Sequence, residues 1–536
     1  EIKNIISEII KEINSLDYEK IEILYQKIIP EEQTAEISNK KGLPALPNVD
    51  KFKKVIMRLA PYPSGPLHIG NARMVILNDY YIKKYNGKLI LAYDDTIGSA
   101  IKNIVPEAYD LIKDDLSYLG VEYDQVVYKS DRIKNFYDYC VKLIEKDQAY
   151  VCKCDAKEWR EKNKKTKIPC EHRNVSIEDN LEEWEKMLGG TYDEGEAVLR
   201  FKSGMDLDDP ALRDHILMRI SNKIHPRVGD KYSVWPLLEF SWAIDDHLLG
   251  ITHILRGKDL IKEDIIESMI WDIFGWRKAE FIHYGLISFK GLNLSKTDAR
   301  LKIEKGIYNG WSDPRTWSIQ SLKRRGILSK SIKELIINLR LSESDIKLSP
   351  KKLYSINRSN IDENANRYFF IATPEVITIK NVELIQLKAE LYIHPDFPER
   401  GKRVIEIRPE GDILKILIEN KDLRSFKNGE IIRLKDLVNI KILDKEKKIA
   451  EMISSGIDEF RELSDKMDKR LKIIHWLPTE DNLKIEVLNL DGSIISGYGE
   501  NNCKGLKTNE IIQFERFGFC KVDRTDPNIF LYYSHS

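Results

Sequence analysis

A histidine in a Gly/Pro-rich turn stands between a predicted strand and a predicted helix. Residues 55–59 form a short apolar run, residues 61–66 hold three prolines and a glycine that end it, and residues 68–84 show helical periodicity. A strand, a tight turn and a helix make the first half of a nucleotide-binding βαβ unit, in which free helix amides favour phosphate. His68 can donate to a phosphoryl oxygen and Gly70 leaves room for a base or ribose, although Walker-type spacing is absent. The alternative is an ordinary turn with a structural histidine.

A lysine in a second short loop favours the nucleotide interpretation. Residues 291–296 read GLNLSK and follow a strand-like stretch at residues 281–289. Phosphoryl transfer needs positioned donors and cations for the charge that builds on the phosphates. Lys296 can supply such a cation, and Ser295 and Asn71 are plausible secondary donors.

Two short-spaced pairs of metal-ligand residues occur between residues 152 and 172. Cys152-x-Cys154 is followed after fifteen residues by Cys170-x-His172. Two such pairs joined by a loop can close a tetrahedral zinc site, and four protein ligands make it structural. The alternative is a set of unrelated buried thiols. Six cysteines in 536 residues do not suggest a disulfide framework, so we expect a reducing cytoplasm.

The bulk composition is that of a water-soluble multidomain chain. A length of 536 residues predicts about two to four domains. No apolar run approaches a membrane span, the first residues resemble no signal peptide, and the chain begins with Glu rather than Met. Lys+Arg and Asp+Glu balance at 86 each, which argues against a nucleic-acid binder, although local basic clusters occur.

The order of predicted elements divides the chain into segments. Strand and helix alternate over residues 53–131, which implies a doubly wound parallel sheet, and this sheet resumes with strands at 234–240 and 251–255. Short β-branched strands dominate after residue 366 and predict β-barrels. We therefore expect an N-terminal helical segment (1–45), a first half of the sheet domain (46–131), an inserted domain (132–234), a second half (235–300), a helical connector (301–365) and a β-barrel region (366–536).

Motifs spread along the chain resemble the class I aminoacyl-tRNA synthetases. The histidine turn and the Leu-Ser-Lys loop are similar to that family's two signature motifs. The sequence around these motifs is similar to the archaeal form of the family's glutamyl/glutaminyl branch. The resemblance runs from about residue 40 to the C-terminus and is carried by residues 63–70 (PSGPLHIG), 94–96 (DDT), 245–250 (DDHLLG), 255–259 (LRGKD), 310–315 (GWSDPR), 394–401 (HPDFPERG) and 514–519 (FERFGF).

The resemblance implies a fold, a reaction and a set of site residues. The fold is a Rossmann-type parallel sheet with an inserted α/β acceptor-end-binding domain, a helical connector and C-terminal anticodon-binding β-barrels. The reaction is ligation of glutamate to tRNA through an adenylate, with ATP, magnesium and structural zinc, by a cytoplasmic protein that we expect to be monomeric. The implied residues are His68, Asn71 and Lys296 for catalysis; Pro66, Gly70, Arg256, Ser295 and Lys296 for ATP; Arg58, Ala60, Asp94, Leu238 and Glu239 for the amino acid; Cys152, Cys154, Cys170 and His172 for zinc; and Arg400, Lys402, Arg403 and Arg516 for tRNA.

Departures from the family pattern cluster at the amino-acid pocket and leave alternatives open. Relatives have Arg at Ala92 and Tyr-Asn or Tyr-Asp at Leu238-Glu239, and an added carboxylate disfavours an anionic substrate unless Glu239 points away. One alternative is a paralogue with altered amino-acid selectivity or a non-catalytic tRNA-binding protein. Another is an enzyme that glutamylates a modified tRNA base, which the long C-terminal region disfavours. Arg58 and Asp94 could be structural, and the basic C-terminal residues could only pair with acids such as Glu515.

Overall fold

The computed structural model describes residues 42–98, 103–467 and 470–536. Residues 46–536 form one compact unit, to which all features below belong. The N-terminal helical segment expected at residues 1–45 lies, up to residue 41, outside the described residues. None of the helices in the described ranges is long and apolar enough to cross a membrane.

The first segment forms a parallel sheet, as the alternating pattern predicts. Its elements are β1 (Ile56–Leu59), α1 (Ala72–Tyr85), β2 (Lys88–Tyr93), α2 (Ala108–Tyr118) and β3 (Gln125–Tyr128). The strands pair in parallel in the order β1-β2-β3. Each strand is a short apolar run covered by helices, which is typical of a buried parallel sheet.

The inserted segment is built on an antiparallel sheet. It contains α3 (Ile133–Glu145), β4 (Ala149–Cys152), α4 (Ala156–Trp159), α5 (Ile177–Leu188), β5 (Val198–Phe201), β6 (Ile216–Ile220) and β7 (Val234–Pro236). The order is β4-β5-β6-β7, and all pairs are antiparallel. The strand expected at residues 234–240 is therefore wrong in length and in sheet. Pro236 has no backbone N–H to donate to a strand ladder, and a helix starts at Leu238. The pattern did not distinguish the two elements, because a short apolar run fits a strand or a buried helix equally well.

The chain then returns to the parallel sheet on the other side of β1. The elements are α6 (Leu238–Leu248), β8 (His253–Gly257), α7 (Ile261–Phe274), β9 (Glu280–Tyr284), β10 (Ile287–Phe289) and α8 (Lys296–Glu304). Thr252 donates its amide to the carbonyl of Ile56 at 2.9 Å, which places β8 beside β1. The strand order thus reverses at β1, and the carboxyl ends of β1 and β8 flank the crevice where such sheets bind ligands.

The single strand expected at residues 281–289 is two strands, and Gly285 explains the break. A Cβ atom at Gly285 would lie 2.0 Å from the carbonyl oxygen of Ser344. Only glycine allows this close approach of two backbones. β9 therefore pairs with β8, while β10 pairs with a strand of the connector.

A small helical connector joins the two halves of the molecule. It consists of α9 (Ile319–Arg324), α10 (Ser329–Asn338), β11 (Ile346–Leu348) and α11 (Pro350–Ile361). Arg325 is buried, donates to the carbonyl of Ser534 at 2.9 Å and lies 5.1 Å from the ring of Trp317. The carbonyl of Trp317 accepts the amide of Ile69 at 3.2 Å, beside His68. The connector thus contacts both the histidine turn and the C-terminal region.

The C-terminal region is rich in strands, as expected, and has two seven-stranded sheets. Its strands are β12 (Asn366–Tyr368), β13 (Phe370–Ile371), β14 (Pro374–Lys380), β15 (Leu387–Tyr392), β16 (Lys402–Ile407), β17 (Leu414–Glu419), β18 (Ile431–Leu434), β19 (Asn439–Asp444), β20 (Ile449–Ser454), β21 (Lys472–Ile474), β22 (Leu477–Pro478), β23 (Asn482–Leu488), β24 (Ile494–Glu500), β25 (Ile511–Phe514), β26 (Gly518–Arg524) and β27 (Ile529–His535), and its helices are α12 (Asn420–Ser425) and α13 (Ile457–Lys466). The orders are β12-β25-β26-β27-β23-β24-β13 and β21-β18-β19-β20-β14-β17-β22, with β15-β16 as a separate hairpin.

Both large sheets curl, but neither forms a closed hydrogen-bonded barrel among the described residues. The end strands of the first sheet, β12 and β13, are separated only by Phe369, and those of the second, β21 and β22, only by His475 and Trp476. Because consecutive segments occupy opposite ends of each sheet, the sheet must bend round until its ends meet. The expected barrels are therefore curled sheets that are not hydrogen-bonded along one line, where one or two residues of chain connect the two end strands.

Candidate active site

The turn between β1 and α1 holds His68 in one tautomer. The Nδ1 atom of His68 accepts the amide of Gly70 at 3.1 Å, so a neutral ring carries its proton on Nε2. Burial, and secondly the charge of Lys296, lower the pKa of His68 to about 3. A Cβ atom at Gly70 would lie 2.9 Å from Cε1 of His68, so this close turn needs glycine. His68 is thus an uncharged donor at neutral pH.

Lys296 reaches the same turn from the opposite loop. Ser295 caps α8 by accepting the amide of Asp298 at 3.2 Å, which places Lys296 at the first helical position. The Nζ atom of Lys296 lies 3.4 Å from the carbonyl oxygen of Gly65. The ammonium group is therefore beside the turn that holds His68, and two motifs distant in sequence meet at one place.

A cavity of about 260 Å³ lies between these two loops. Ala60, Asn71 and Lys296 line it, and the side chain of Asn71 accepts the amide of His68 at 3.2 Å. Pro66 is buried in the floor of the turn beside it. The cavity lies at the carboxyl end of β1 and is lined by the start of α1 and by Lys296, and a helix N-terminus beside a cation is chemically suited to a phosphorylated ligand.

The expected amino-acid residues form a buried charged cluster rather than free ligands. Arg58 donates two hydrogen bonds to Asp246, at 2.5 and 2.7 Å, and its guanidinium lies 3.6 Å from the ring centroid of Trp242. Asp94 lies 3.0 Å from Nζ of Lys129. Asp246 thus engages two of the donor atoms of Arg58, and the assignment of Arg58 and Asp94 to the amino acid stays a prediction.

Lys129 is a residue of this cluster that sequence reasoning missed. It is fully buried, donates to Oγ of Ser241 at 2.5 Å and lies 3.4 Å from the ring centroid of Trp242. Burial lowers its pKa, while the charge of Asp94 opposes that shift. A lone lysine between Tyr128 and Ser130 matches no motif, so the sequence holds no signal for it.

Arg256 is also held inside the fold, although it was expected to bind ATP. Its Nε atom donates to Asp264 at 2.8 Å and its Nη1 atom donates to Glu267 at 2.7 Å. Two acids on α7 thus fix this guanidinium at the end of β8. Arg256 is thus the centre of a buried ion-pair cluster and is not among the described residues that line the cavity, and its assignment to ATP stays a prediction.

Leu238 and Glu239 begin α6, and Glu239 is turned towards the inserted segment. Leu238 packs against the apolar core. The Oε1 atom of Glu239 lies 3.4 Å from Nε2 of His215 next to β6. Burial raises the pKa of Glu239, but interaction with His215 outweighs it and leaves the pKa below its ordinary value.

The three cysteines and the histidine predicted as metal ligands come together. Their four ligand atoms all lie within 4.8 Å of one another. The Sγ atoms of Cys152 and Cys170 are 3.9 Å apart, and Sγ of Cys154 is 3.4 Å from Nδ1 of His172. Tetrahedral zinc bonds give separations of roughly 3.8 Å for two sulfurs and roughly 3.6 Å for sulfur and nitrogen. The cluster fits a zinc ion.

A second group of possible ligands does not fit a metal. Asp362, His394 and Asp396 also have ligand atoms within 4.8 Å of one another. However, Nε2 of His394 contacts the carbonyl of Asp362 at 2.9 Å, and Nδ1 accepts the amide of Asp396 at 3.2 Å. Both ring nitrogens are occupied, so this histidine has a structural role.

Comparison with known proteins assigns the family. Residues 54–363 match the family described as tRNA synthetases class I (E and Q), catalytic domain, and residues 365–457 and 473–523 match two anti-codon binding domains of the same group. The chain belongs to the class I tRNA synthetases (E and Q). The glutamate–tRNA ligase of Methanocaldococcus jannaschii is 42% identical to it over 99% of this chain and 92% of its own, and that of Pyrococcus abyssi is 40% identical over 100% and 92%.

A solved structure is also similar. A glutamate-tRNA synthetase from Elizabethkingia anophelis has 21% sequence identity and a TM-score of 0.41, and the match covers 58% of this chain and 71% of that one. The family assignment rests on the matched domains and the full-length relatives.

In this class I synthetase, the four basic residues expected to contact tRNA have different surroundings. Arg403 is buried between Glu500 at 2.9 Å and Glu515 at 3.0 Å. Arg516 donates two hydrogen bonds to Asp422, both at 2.7 Å. The alternative of pairing with neighbouring acids thus describes both of them.

The other two basic residues have weaker contacts. Arg400 is half-buried and stacks on the ring of Phe397 at 4.6 Å, and Lys402 is exposed and lies 3.1 Å from Glu390. An exposed ion pair of this kind contributes little to stability. The assignment of all four residues to tRNA stays a prediction.

Proposed function

We propose that this chain is a glutamate–tRNA ligase that activates glutamate with ATP and transfers it to tRNA. The observation that carries the proposal is that Lys296 lines a cavity at the turn between β1 and α1 and lies 3.4 Å from the carbonyl oxygen of Gly65, in the turn that also holds His68 as a neutral donor. The curated full-length relatives bear the same activity in their names. A non-catalytic paralogue would have no need to keep this pair together.

The proposed chemistry needs no side-chain base. A carboxylate oxygen of glutamate attacks the α-phosphorus of ATP, and the bond to pyrophosphate breaks. The terminal ribose hydroxyl of tRNA then attacks the carbonyl carbon and passes its proton to a phosphate oxygen of the adenylate, and AMP leaves as the acyl–phosphate bond breaks. Family membership implies ATP with magnesium. His68 donates through Nε2, Lys296 neutralises the developing phosphate charge, and Gly70, Ser295 and Asn71 shape the two loops.

The proposed amino-acid site lies over the buried cluster at the ends of β1 and β2. Arg58 and Lys129 both lie against Trp242, and Asp94 and Asp246 balance their charges. The two positive and two negative charges of the cluster cancel, so the cluster forms a polar surface without net charge. On this surface the carboxylate of Asp94 can bind the ammonium group of the amino acid. Aminoacylation of total tRNA with each amino acid in turn tests the choice of glutamate, and purified glutamate and glutamine tRNAs show which is charged.

A cationic pocket beside the cysteine cluster supports acceptor-end binding by the inserted segment. The pocket has a volume of about 330 Å³. Its basic lining residues are Arg160, Lys164, Arg200, Arg213 and Arg219. The guanidinium of Arg200 stacks on Trp159 at 3.6 Å. Concentrated cations with an aromatic floor suit the phosphates and bases of a single-stranded RNA end.

We propose that the cysteine cluster binds structural zinc. Purified protein is expected to contain about one zinc per chain, because four protein ligands close the site. Cys152→Ser or Cys170→Ser is expected to lose the metal and to weaken binding of the tRNA acceptor end. Metal analysis by mass spectrometry checks this.

Cys520→Ser is the matched control for the zinc prediction. Cys520 is buried but lies in the C-terminal region, outside the cluster, so its replacement should leave the zinc content unchanged. Unmutated protein that carries no stoichiometric zinc, after purification without chelators, would show that the site does not bind the metal.

We propose that Arg400 contacts a tRNA phosphate. Arg400→Ala is expected to weaken tRNA binding for all sequences alike and to lower the salt slope of binding by about one, as loss of one phosphate contact does. Titration of tRNA binding at several salt concentrations measures both effects. Lys51→Ala, an exposed change in the segment before β1, serves as the control. An unaltered salt slope would remove Arg400 from the interface.

A further inference from the structure

An added carboxylate stands at the start of α6, close to the proposed amino-acid site. Glu239 shares this helix with Ser241, Trp242 and Asp246, which hold Lys129 and Arg58. The charge of Lys129 also acts on Glu239. A free carboxylate here would repel a substrate with an anionic side chain, because like charges in a partly buried site interact strongly.

The structure shows where this carboxylate is directed instead. Its Oε1 atom lies 3.4 Å from Nε2 of His215, and the two side chains are only 16% and 19% exposed. This partner comes from the inserted segment, not from the catalytic sheet. The charge of Glu239 also interacts with the guanidinium group of Arg219 on β6. The carboxylate of Glu239 therefore faces basic side chains of the insertion.

The surroundings of His215 favour the charged form of its ring. Its Nδ1 atom is 3.1 Å from the carbonyl oxygen of Ala211, which can only accept a hydrogen bond. Its Nε2 atom faces the carboxylate of Glu239 at 3.4 Å. Burial lowers the pKa of His215, but interaction with Glu239 outweighs this and raises the pKa above its ordinary value. The charged forms of the two side chains therefore stabilise each other.

We propose that His215 is a positioning residue for amino-acid selection: it holds the Glu239 carboxylate towards β6, so that the pocket accepts an anionic side chain. The inference deepens the proposed function and rests on it. It explains how a chain with Glu239 at this position can still take glutamate. It also assigns to the insertion a part in choosing the amino acid, besides its contacts with tRNA.

The test is glutamate-dependent ATP–pyrophosphate exchange, without tRNA, on the full-length protein. His215→Ala is expected to raise KM for glutamate on the order of tenfold, which corresponds to a modest charge repulsion. KM for ATP should stay near that of the parent protein. The double variant His215→Ala with Glu239→Gln is expected to recover most of the lost glutamate affinity. Recovery on removal of the charge is an effect that general damage to the fold would not show.

His247→Ala is the matched control, since His247 is an exposed histidine on the same helix. It should keep the glutamate KM of the parent protein. If His215→Ala leaves that KM unchanged, or if the double variant is no better than the single one, the inference is overturned while the proposed function stands. If the parent protein itself shows no glutamate-dependent exchange, the proposed function fails, and the inference fails with it.

Discussion

Lys296→Ala is expected to lower kcat for adenylate formation by about 10²-fold or more, with a much smaller change in KM for ATP. The ammonium group stands beside the turn of His68, with Nζ 3.4 Å from the carbonyl of Gly65. Charge on the phosphates grows as pyrophosphate departs, so a cation at this point is worth more in the transition state than in the ground state. His68 is neutral and cannot replace that charge.

Pre-steady-state measurement of adenylate formation separates this effect from binding. Lys305→Ala is the matched control, because Lys305 is an exposed lysine at the other end of α8. It should retain the rate of the parent protein. An undiminished rate in Lys296→Ala would mean that another group neutralises the phosphates.

Asp246→Ala is expected to destabilise the protein by about 3–5 kcal/mol, as removal of one partner from a buried ion pair does. The carboxylate accepts both hydrogen bonds from Arg58, and both side chains are almost wholly inaccessible. Without it, a guanidinium stays buried against Trp242 and Lys129 with no counter-charge on its fork. Equilibrium unfolding in urea measures the free energy, and glutamate activation should fall together with it.

An exposed pair of the same residue types gives the comparison. Asp458 lies 2.8 Å from Arg461 on the surface of α13, and both side chains are at least 70% exposed. Asp458→Ala should change the free energy of unfolding by no more than about 1 kcal/mol. If the two substitutions lower the free energy of unfolding equally, burial does not make the Arg58–Asp246 pair more important for stability than an exposed pair.

The sequence predicted the parts of the site that depend on local patterns. The turn of His68 and Gly70 follows an apolar strand and precedes an amphipathic helix, and such a pattern is visible within a few residues. The clustering of the three cysteines with His172 was predictable for the same reason, since Cys-x-Cys and Cys-x-His spacings each bring two candidate ligands together. Parallel pairing of the first three strands also follows from their alternation with helices.

The rest depends on tertiary contacts that no local pattern encodes. Arg58 looks like a free substrate ligand until the fold brings Asp246 to its fork. Lys129 looks like a solvated lysine, and only the fold buries it beside Trp242. The error at residues 234–240 arose because an apolar run fits a strand or a buried helix equally well. His215 and Glu239 are joined only by the approach of β6 to α6.

The contacts of Arg325 couple the C-terminal region to the candidate active site. Its guanidinium holds the end of β27 through Ser534 and rests near Trp317, whose carbonyl holds the amide of Ile69. These contacts connect the end of β27, the central strand of the first C-terminal sheet, to the histidine turn. A displacement of β27 is therefore transmitted to a backbone amide one residue away from His68.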